Sequence, residues 1–268
     1  MLKLAVFGHP VTHSLSPRIH GMFAEAAGID LEYNRIECPA GGLAGKLRDF
    51  RRAGGRGCNL TVPLKAEGLA LAAHASPAAQ QADACNTLVA TKDGWHADNT
   101  DGAGLVADLD RLGVEIAQRG VLVLGAGGAA AGILGPLLER RPKRICLVNR
   151  DVSRAECLAA RFAGHGRLVQ AYGYDTLPAG ISFDLLLQST SLGHRGACPP
   201  VQPQWLQPGA VGYDLNYGPA FTPFAARCGE LGVACHPGLG MLVEQAAIAF
   251  EVFTGVRPDT GPVHAALA

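Results

Sequence analysis

The chain has 268 residues, 48% of them apolar, and its 23 basic and 23 acidic side chains cancel. That length predicts two modest domains, and a neutral balance offers no net field for nucleic acid or an anionic membrane surface. The expected partner is a small molecule, anionic if local arginines hold it. Eight cysteines, at 38, 58, 85, 146, 157, 198, 228 and 235, form no C-x-x-C or zinc-like spacing, so no metal is expected and a reducing cytoplasm is. Met1 to His9 lacks the charged, apolar and cleavage regions of a signal peptide.

In chain order, Leu2 to Phe7 reads as a buried strand and Pro17 to Ala27 as a helix ended by Gly28. A strand from Leu31 to Ile36 leads to a helix around Leu43 to Ala53, and one from Gly57 to Val62 leads to a helix from Pro63 to Ala73. This alternation predicts a parallel or mixed sheet covered by helices. After Asn86 to Ala90 and the turn at Asp93-Gly94, the segment Gly102 to Leu112 places Leu105, Val106, Leu109 and Leu112 on one helical face. Alternation restarts with Val121 to Leu124, a helix to about Arg140, Arg144 to Val148, a helix over Ser153 to Phe162, and strands at Phe183 to Gln188 and Ala210 to Asp214. The uncharged run from Gly120 to Leu138 approaches the length of a membrane span, but its glycines and Pro136 argue against one. Met241 to Thr254 has helical periodicity and few charges.

The clearest motif is Gly125-Ala126-Gly127-Gly128-Ala129-Ala130, which follows a strand and opens a helix. In that context Gly125 permits a tight turn, Gly127 lets a pyrophosphate approach the backbone, and Ala130 allows close helix packing. The next strand ends near Asn149, where NAD-specific folds place an acidic residue. Here stand Asn149 and Arg150, with Arg154 one turn further, and guanidinium forks suit a 2′-phosphate. NADP(H) is therefore the expected cofactor. Asp151 keeps some NAD use open, and Arg154 reads equally as a surface residue.

In the first half, Ser16 reads as the cap of a helix begun by Pro17, and with Ser14 it aims two hydroxyls and free N–H groups at one point, which suits a carboxylate. Asn59 and Thr61 are placed on one strand face, with Leu60 and Val62 on the other. Lys65 falls in the first turn of the following helix, where a cation opposes the macrodipole, so a functional lysine is expected. Asn86-Thr87 and Asp98 to Gly102 are polar clusters that could be turn and capping chemistry, with Asp101 an N-cap candidate. His9, His13 and His20 make no helical metal pair.

Taken in order, S-L-S-P at 14–17, N-L-T-V-P-L-K at 59–65, C-N-T at 85–87, D-N-T-D-G at 98–102, G-A-G-G-A-A at 125–130, N-R-D-V-S-R at 149–154 and G-M-L-V-E-Q-A at 240–246 resemble the shikimate dehydrogenase family along nearly the whole chain. The resemblance implies an α/β architecture: a substrate domain with a mostly parallel sheet, residues 1–101 completed by 238–268, and a Rossmann-type doubly wound NADP-binding domain, 102–237. It implies reduction of 3-dehydroshikimate to shikimate by NADPH, with Lys65 and Asp101 as the catalytic pair. Ser14 and Ser16 would hold the carboxylate with Tyr217 nearby. Asn59, Thr61, Asn86, Asp101 and Gln245 would bind ring hydroxyls, and Thr190, Ser191 and Gly240 would line the nicotinamide. A monomer or homodimer is expected. The chain departs from the commonest family pattern at Leu60, Leu64 and Gln188-Ser189, the last replacing asparagine-alanine. Two other readings are a quinate/shikimate dehydrogenase with broader polyol or NAD use, separable by comparing the two polyols, and a non-catalytic NADP(H) sensor, separable by turnover.

Overall fold

Leu4, Ala5, Val6 and Phe7 are almost completely buried, as a strand covered on both faces requires. In a computed structural model, which describes residues 1–267, they belong to the first of two units. Unit one is Met1–Gly104 with the segment from Leu242 onward, and unit two is Leu105–Met241.

Unit one runs β1 (Leu2–Gly8), α1 (Ser16–Ala27), β2 (Leu31–Glu37), α2 (Leu43–Arg52), β3 (Gly57–Leu60), α3 (Lys65–Leu71), β4 (His74–Ala75), α4 (Pro77–Ala82), β5 (Thr87–Thr91) and β6 (Gly94–Asp98), then enters α5 (Asp101–Arg111). Its sheet has the order β2-β1-β3-β5-β6-β4. β1 is parallel to β2 and β3, whereas β5 pairs antiparallel with β3 and β6, so the sheet is mixed. Phe7, Leu43, Leu47, Leu64 and Leu88 fill one core, and Ile19, Phe23, Val243, Ala247 and Phe250 another.

Unit two runs β7 (Gly120–Leu124), α6 (Gly128–Glu139), β8 (Arg144–Val148), α7 (Val152–Ala160), β9 (Val169–Tyr172), β10 (Phe183–Gln188), β11 (Leu206–Asp214), α8 (Thr222–Glu230) and β12 (Ala234–Pro237), and continues into α9 (Leu239–Thr254), which α10 (Gly261–Leu267) follows. All six strands are parallel, in the order β12-β11-β10-β7-β8-β9. Counted within the unit this is the doubly wound 3-2-1-4-5-6 order, whose ligand crevice lies where the order reverses, at the carboxyl ends of β7 and β10. The uncharged run from Gly120 to Leu138 is β7 followed by α6, whose Ile133, Leu134 and Leu137 are fully buried. No helix among the described residues is long and apolar enough to cross a membrane.

Three local expectations are corrected. Ser16 does not cap α1: Leu15 is already in the right-handed helical region, so Ser16 is the first helical residue and no side chain caps the end. Strand β3 stops at Leu60, and Val62 is 69% exposed while Leu60 is buried, because the chain turns at Val62-Pro63 before α3 begins at Lys65. Asp101 likewise lies inside α5; its N–H is accepted by Asn99 Oδ1 at 3.1 Å, which leaves the Asp101 carboxylate available for other partners.

Candidate active site

Lys65 is the first residue of α3 and Asp101 the first of α5. The Lys65 ammonium donates to Asp101 Oδ2 in an ion pair, which offsets the unfavourable position of a cation at a helix start. Asp101 Oδ1 accepts from Asn86 Nδ2 at 2.8 Å. The same amide nitrogen lies 2.9 Å from Thr100 Oγ1 and 3.1 Å from Gln245 Oε1, so its two hydrogens are shared among three acceptors. Asn86 Oδ1 accepts from the Thr100 N–H and the Thr87 hydroxyl, each at 2.9 Å. Asn86 is almost fully buried, so its amide is a fixed hub joining the ion pair to α9. That junction needs Gly104, since a Cβ there would lie 2.6 Å from the backbone nitrogen of Gln245.

Asn59, on β3, joins the network from the other side. Its Nδ2 donates to Asn86 O at 3.2 Å and to Thr87 Oγ1 at 3.1 Å, and its Oδ1 accepts from the Tyr33 hydroxyl at 2.7 Å. Tyr33 lies on β2 with its hydroxyl also beside Ser16, and burial raises its pKa well above the ordinary phenol value. Ser14 and Ser16 are joined by an Oγ–Oγ hydrogen bond of 3.2 Å, and Arg35 grips the Ser14 carbonyl through Nε and Nη2 at 3.0 and 2.7 Å. Beneath them His20 is fully buried and stacks on Tyr33 with ring centroids 4.4 Å apart. Neither ring nitrogen has a partner, and burial lowers the pKa to about 3, so His20 is a neutral ring.

Of the residues expected to hold substrate, the fold therefore connects Lys65, Asp101, Asn86, Gln245 and Asn59 directly, and brings Ser14 and Ser16 to the same cluster through Tyr33. Thr61 lies just past β3, half-buried, with its backbone N–H donating to Phe7 O at 2.9 Å. Tyr217 belongs to unit two, where burial raises its pKa. Tyr33 and Arg35 were not anticipated as site residues. Their signal is the period of two along β2, which aims two side chains with polar tips at Asn59 and at the Ser14 carbonyl.

In unit two, Gly125 follows β7 with φ +112°, and a Cβ there would lie 2.7 Å from Ser189 Oγ, so both conformation and space demand glycine. A Cβ on Gly127 or Gly128 would meet nothing within 4 Å, which leaves the N-terminus of the 12-residue α6 open to a phosphate. Ala126 is partly buried, Ala129 exposed and Ala130 fully buried beneath the helix. Asn149 Nδ2 donates to Asp151 O at 2.9 Å. Asp151 caps α7, its Oδ1 accepting from the Ser153 hydroxyl at 2.7 Å and the Ser153 N–H at 3.2 Å, and those bonds lower its pKa. Arg150 and Arg154 are exposed, and neither forms a salt bridge among the described residues. An open helix N-terminus and two guanidinium groups at the end of β8 fit a dinucleotide with an extra phosphate.

Thr190 and Ser191 follow β10, with Ser189 Oγ donating to Leu124 O at 2.8 Å. Gly240 is buried in α9, and a Cβ there would fall on the carboxylate of Asp108. That carboxylate accepts from Tyr213 Oη at 2.7 Å and from Arg111 Nε at 2.8 Å. Gly240 is thus required by packing, whatever its backbone faces. No group of three or more His, Cys, Asp or Glu among the described residues could hold a metal.

Three family models match the chain: the shikimate dehydrogenase substrate binding domain over residues 6–88, shikimate / quinate 5-dehydrogenase over 109–194, and the shikimate 5′-dehydrogenase C-terminal domain over 238–268. The chain is 46% identical over 261 residues to a shikimate dehydrogenase (NADP(+)) of Acidovorax sp. (strain JS42), covering 96% of this chain and 93% of that one. Among solved structures it is similar to an Ael1 enzyme from Pseudomonas putida, with 39% identity, a TM-score of 0.93 and coverage of 100% and 98% of the two chains. It is also similar to shikimate 5-dehydrogenase from Thermus thermophilus in complex with NADP(H) and shikimate, with 33% identity, a TM-score of 0.86 and coverage of 99% and 98%. With a buried polar hub around a lysine–aspartate pair in unit one, a dinucleotide turn in unit two, and relatives of this identity along its full length, the chain belongs to the shikimate dehydrogenase family.

Proposed function

We propose that the protein catalyses the reversible NADPH-dependent reduction of 3-dehydroshikimate to shikimate, a step of aromatic amino acid biosynthesis, with unit one holding the substrate and unit two the cofactor. The observation that carries this reading is the Lys65–Asp101 ion pair tied through Asn86 to Gln245. It puts a proton donor among amide and hydroxyl groups that can read a polyol ring. NADPH, when bound, supplies the hydride. The Lys65 ammonium gives its proton to the ketone oxygen, which gains the C=O electron pair as the ring carbon accepts the hydride, and Asp101 holds that ammonium in place. In the oxidative direction the neutral amine takes the proton from the hydroxyl. Asn59, Thr61, Asn86, Asp101 and Gln245 bind the hydroxyls, and Ser14 and Ser16, with Tyr217, bind the carboxylate.

On the cofactor side, Gly125 to Ala130 cradle the pyrophosphate at the start of α6, and Asn149, Arg150 and Arg154 hold the adenosine ribose and its 2′-phosphate. Asp151 Oδ1 caps α7, and an acidic side chain engaged in that way favours NADP(H) over NAD here. Thr190, Ser191 and the Gly240 backbone line the nicotinamide. All eight cysteines are free thiols, which suits a cytoplasmic enzyme.

Purified protein mixed with shikimate and NADP⁺ should form reduced nicotinamide, and Lys65→Ala should lower kcat by about 10²-fold or more, the size of a general acid–base contribution, with a smaller change in KM. Turnover mainly of quinate, or with NAD⁺, would favour the broader polyol reading. Tight NADP⁺ binding without turnover of either polyol would replace the enzyme by a sensor.

A further inference from the structure

We propose that Gln188 is a positioning residue for the nicotinamide side of the site, acting by fixing the backbone of Thr190. The proposal rests on the cofactor reading above. Gln188 is the last residue of β10 and pairs in register with Leu124, the last residue of β7. These are the two central strands at whose ends the strand order reverses. The Gln188 side chain is 1% exposed, yet it does not face the apolar core with a wasted amide. Its Oε1 accepts from the Thr190 N–H at 2.5 Å, and its Nε2 donates to the Thr190 carbonyl at 3.2 Å. One amide therefore takes both backbone polar groups of the residue two positions on.

Two neighbours tighten this hold. Asn216 Nδ2 donates to the same Thr190 carbonyl at 3.0 Å, and Asn216 is itself oriented by Asp214 Oδ1, which accepts from its N–H and its Nδ2 at 2.9 and 2.7 Å. On the other side, Ser189 is bonded through both N–H and Oγ to Leu124 O at 2.9 and 2.8 Å. A Cβ on Gly125 would meet Thr190 Cγ2 at 3.0 Å as well as Ser189 Oγ. The segment after β10 is thus pressed on the turn that carries the pyrophosphate, and its free edge is set by the Gln188 amide.

An asparagine at this position, the commoner family residue, can take the N–H two residues on in an Asx turn. The longer side chain closes on both groups. Because hydride transfer depends steeply on the placement of the donor carbon, a displacement of about 1 Å costs about 10²-fold in rate. Fixing Thr190 therefore acts on kcat more than on cofactor affinity, which the phosphates dominate.

The test compares wild type, Gln188→Leu and Gln188→Asn. It measures Kd for NADP⁺ by titration, kcat and KM for shikimate and NADP⁺, and the primary isotope effect with shikimate deuterated at the reacting carbon. Amide hydrogen exchange at Thr190 is followed in the protein alone. Gln188→Leu should lose about 10- to 100-fold in kcat with an enlarged isotope effect, change Kd and both KM values less than about threefold, and lose exchange protection at Thr190. Gln188→Asn should recover most of the rate. A Gln188→Leu variant with wild-type kcat, isotope effect and Thr190 protection would overturn the proposal while leaving the cofactor reading intact. A wild-type protein that neither binds NADP⁺ nor turns over a polyol would overturn both. A rate lost in parallel with NADP⁺ affinity, with the isotope effect unchanged, would also overturn it, since that pattern belongs to a general loss of the cofactor site.

Discussion

Asp214 offers a stability measurement whose sign runs against the usual behaviour of a carboxylate. It ends β11 with no exposed surface, its Oδ2 has no hydrogen-bond partner, and burial raises its pKa from 3.8 to about 6 against the opposing hydrogen bonds from Asn216 and Gln188. The folded chain then binds a proton more tightly than the unfolded one, so this group's contribution is fully present below about pH 4 and is lost as pH rises through 6. The loss is about two pH units at about 1.4 kcal/mol each, or about 3 kcal/mol. Asp214→Asn removes the charge and keeps an oxygen for both Asn216 bonds. Those bonds become weaker by about 1 kcal/mol because the acceptor is neutral, so the variant should be about 2 kcal/mol more stable than wild type at pH 8. The difference should vanish or reverse at pH 4. Urea unfolding at pH 4, 6 and 8 measures it, and a variant less stable at pH 8, or a difference independent of pH, would refute the reasoning.

His20 titrates in the opposite sense: its folded pKa of about 3 lies below the ordinary 6.5, so stability is present above pH 6.5 and falls by about 4–5 kcal/mol as pH drops toward 3. His20→Phe should flatten that acid limb while keeping the stack on Tyr33, as acid-induced loss of near-UV circular dichroism would record. Arg150→Ala should raise KM for NADP⁺ about tenfold or more and leave KM for NAD⁺ unchanged in steady-state assays, because only the first ligand carries the 2′-phosphate. Gly240→Ala should destabilise the protein by about 2–3 kcal/mol in urea, since the new Cβ must displace the buried Asp108 carboxylate from Tyr213 and Arg111.

What was legible in the sequence was whatever a residue type alone could announce. Gly125 marks a left-handed turn before a helix wherever it is placed, and the strands of unit two read clearly because fully buried parallel strands are nearly continuous apolar runs, as in Val121 to Leu124 and Arg144 to Val148. The short elements β4, β9 and β12 were not, since V-Q-A-Y and A-C-H-P carry no such run, and α8 hides behind Pro223. Ser16 looked like a cap because serine before proline usually is one; the backbone of Leu15 decides otherwise. Lys65 stood out by its awkward place at a helix start, but its partner Asp101 lies 36 residues away, and only the family resemblance joined them. Tyr33 and Gln188 were illegible for the same reason in sharper form. Their importance lies in which amide or carbonyl they hold, and nothing local to E-Y-N-R or L-L-Q-S names that partner.

The amide of Asn86 reaches Gln245 across 159 residues, and the intervening chain is almost entirely the other unit. During synthesis residues 105–241 emerge whole while residues 1–104 wait for α9, and at elongation rates of about 5–20 residues per second that wait is roughly 7–27 s. The half translated earlier is thus the half completed later. Until Val243, Ala247 and Phe250 leave the ribosome, Ile19 and Phe23 lack part of their cover, and the nascent protein carries an incompletely covered apolar surface after its Rossmann fold is already finished. Chaperone dependence, aggregation during overexpression and sensitivity to C-terminal truncation should therefore all concentrate in unit one, the unit that is continuous in space but not along the message.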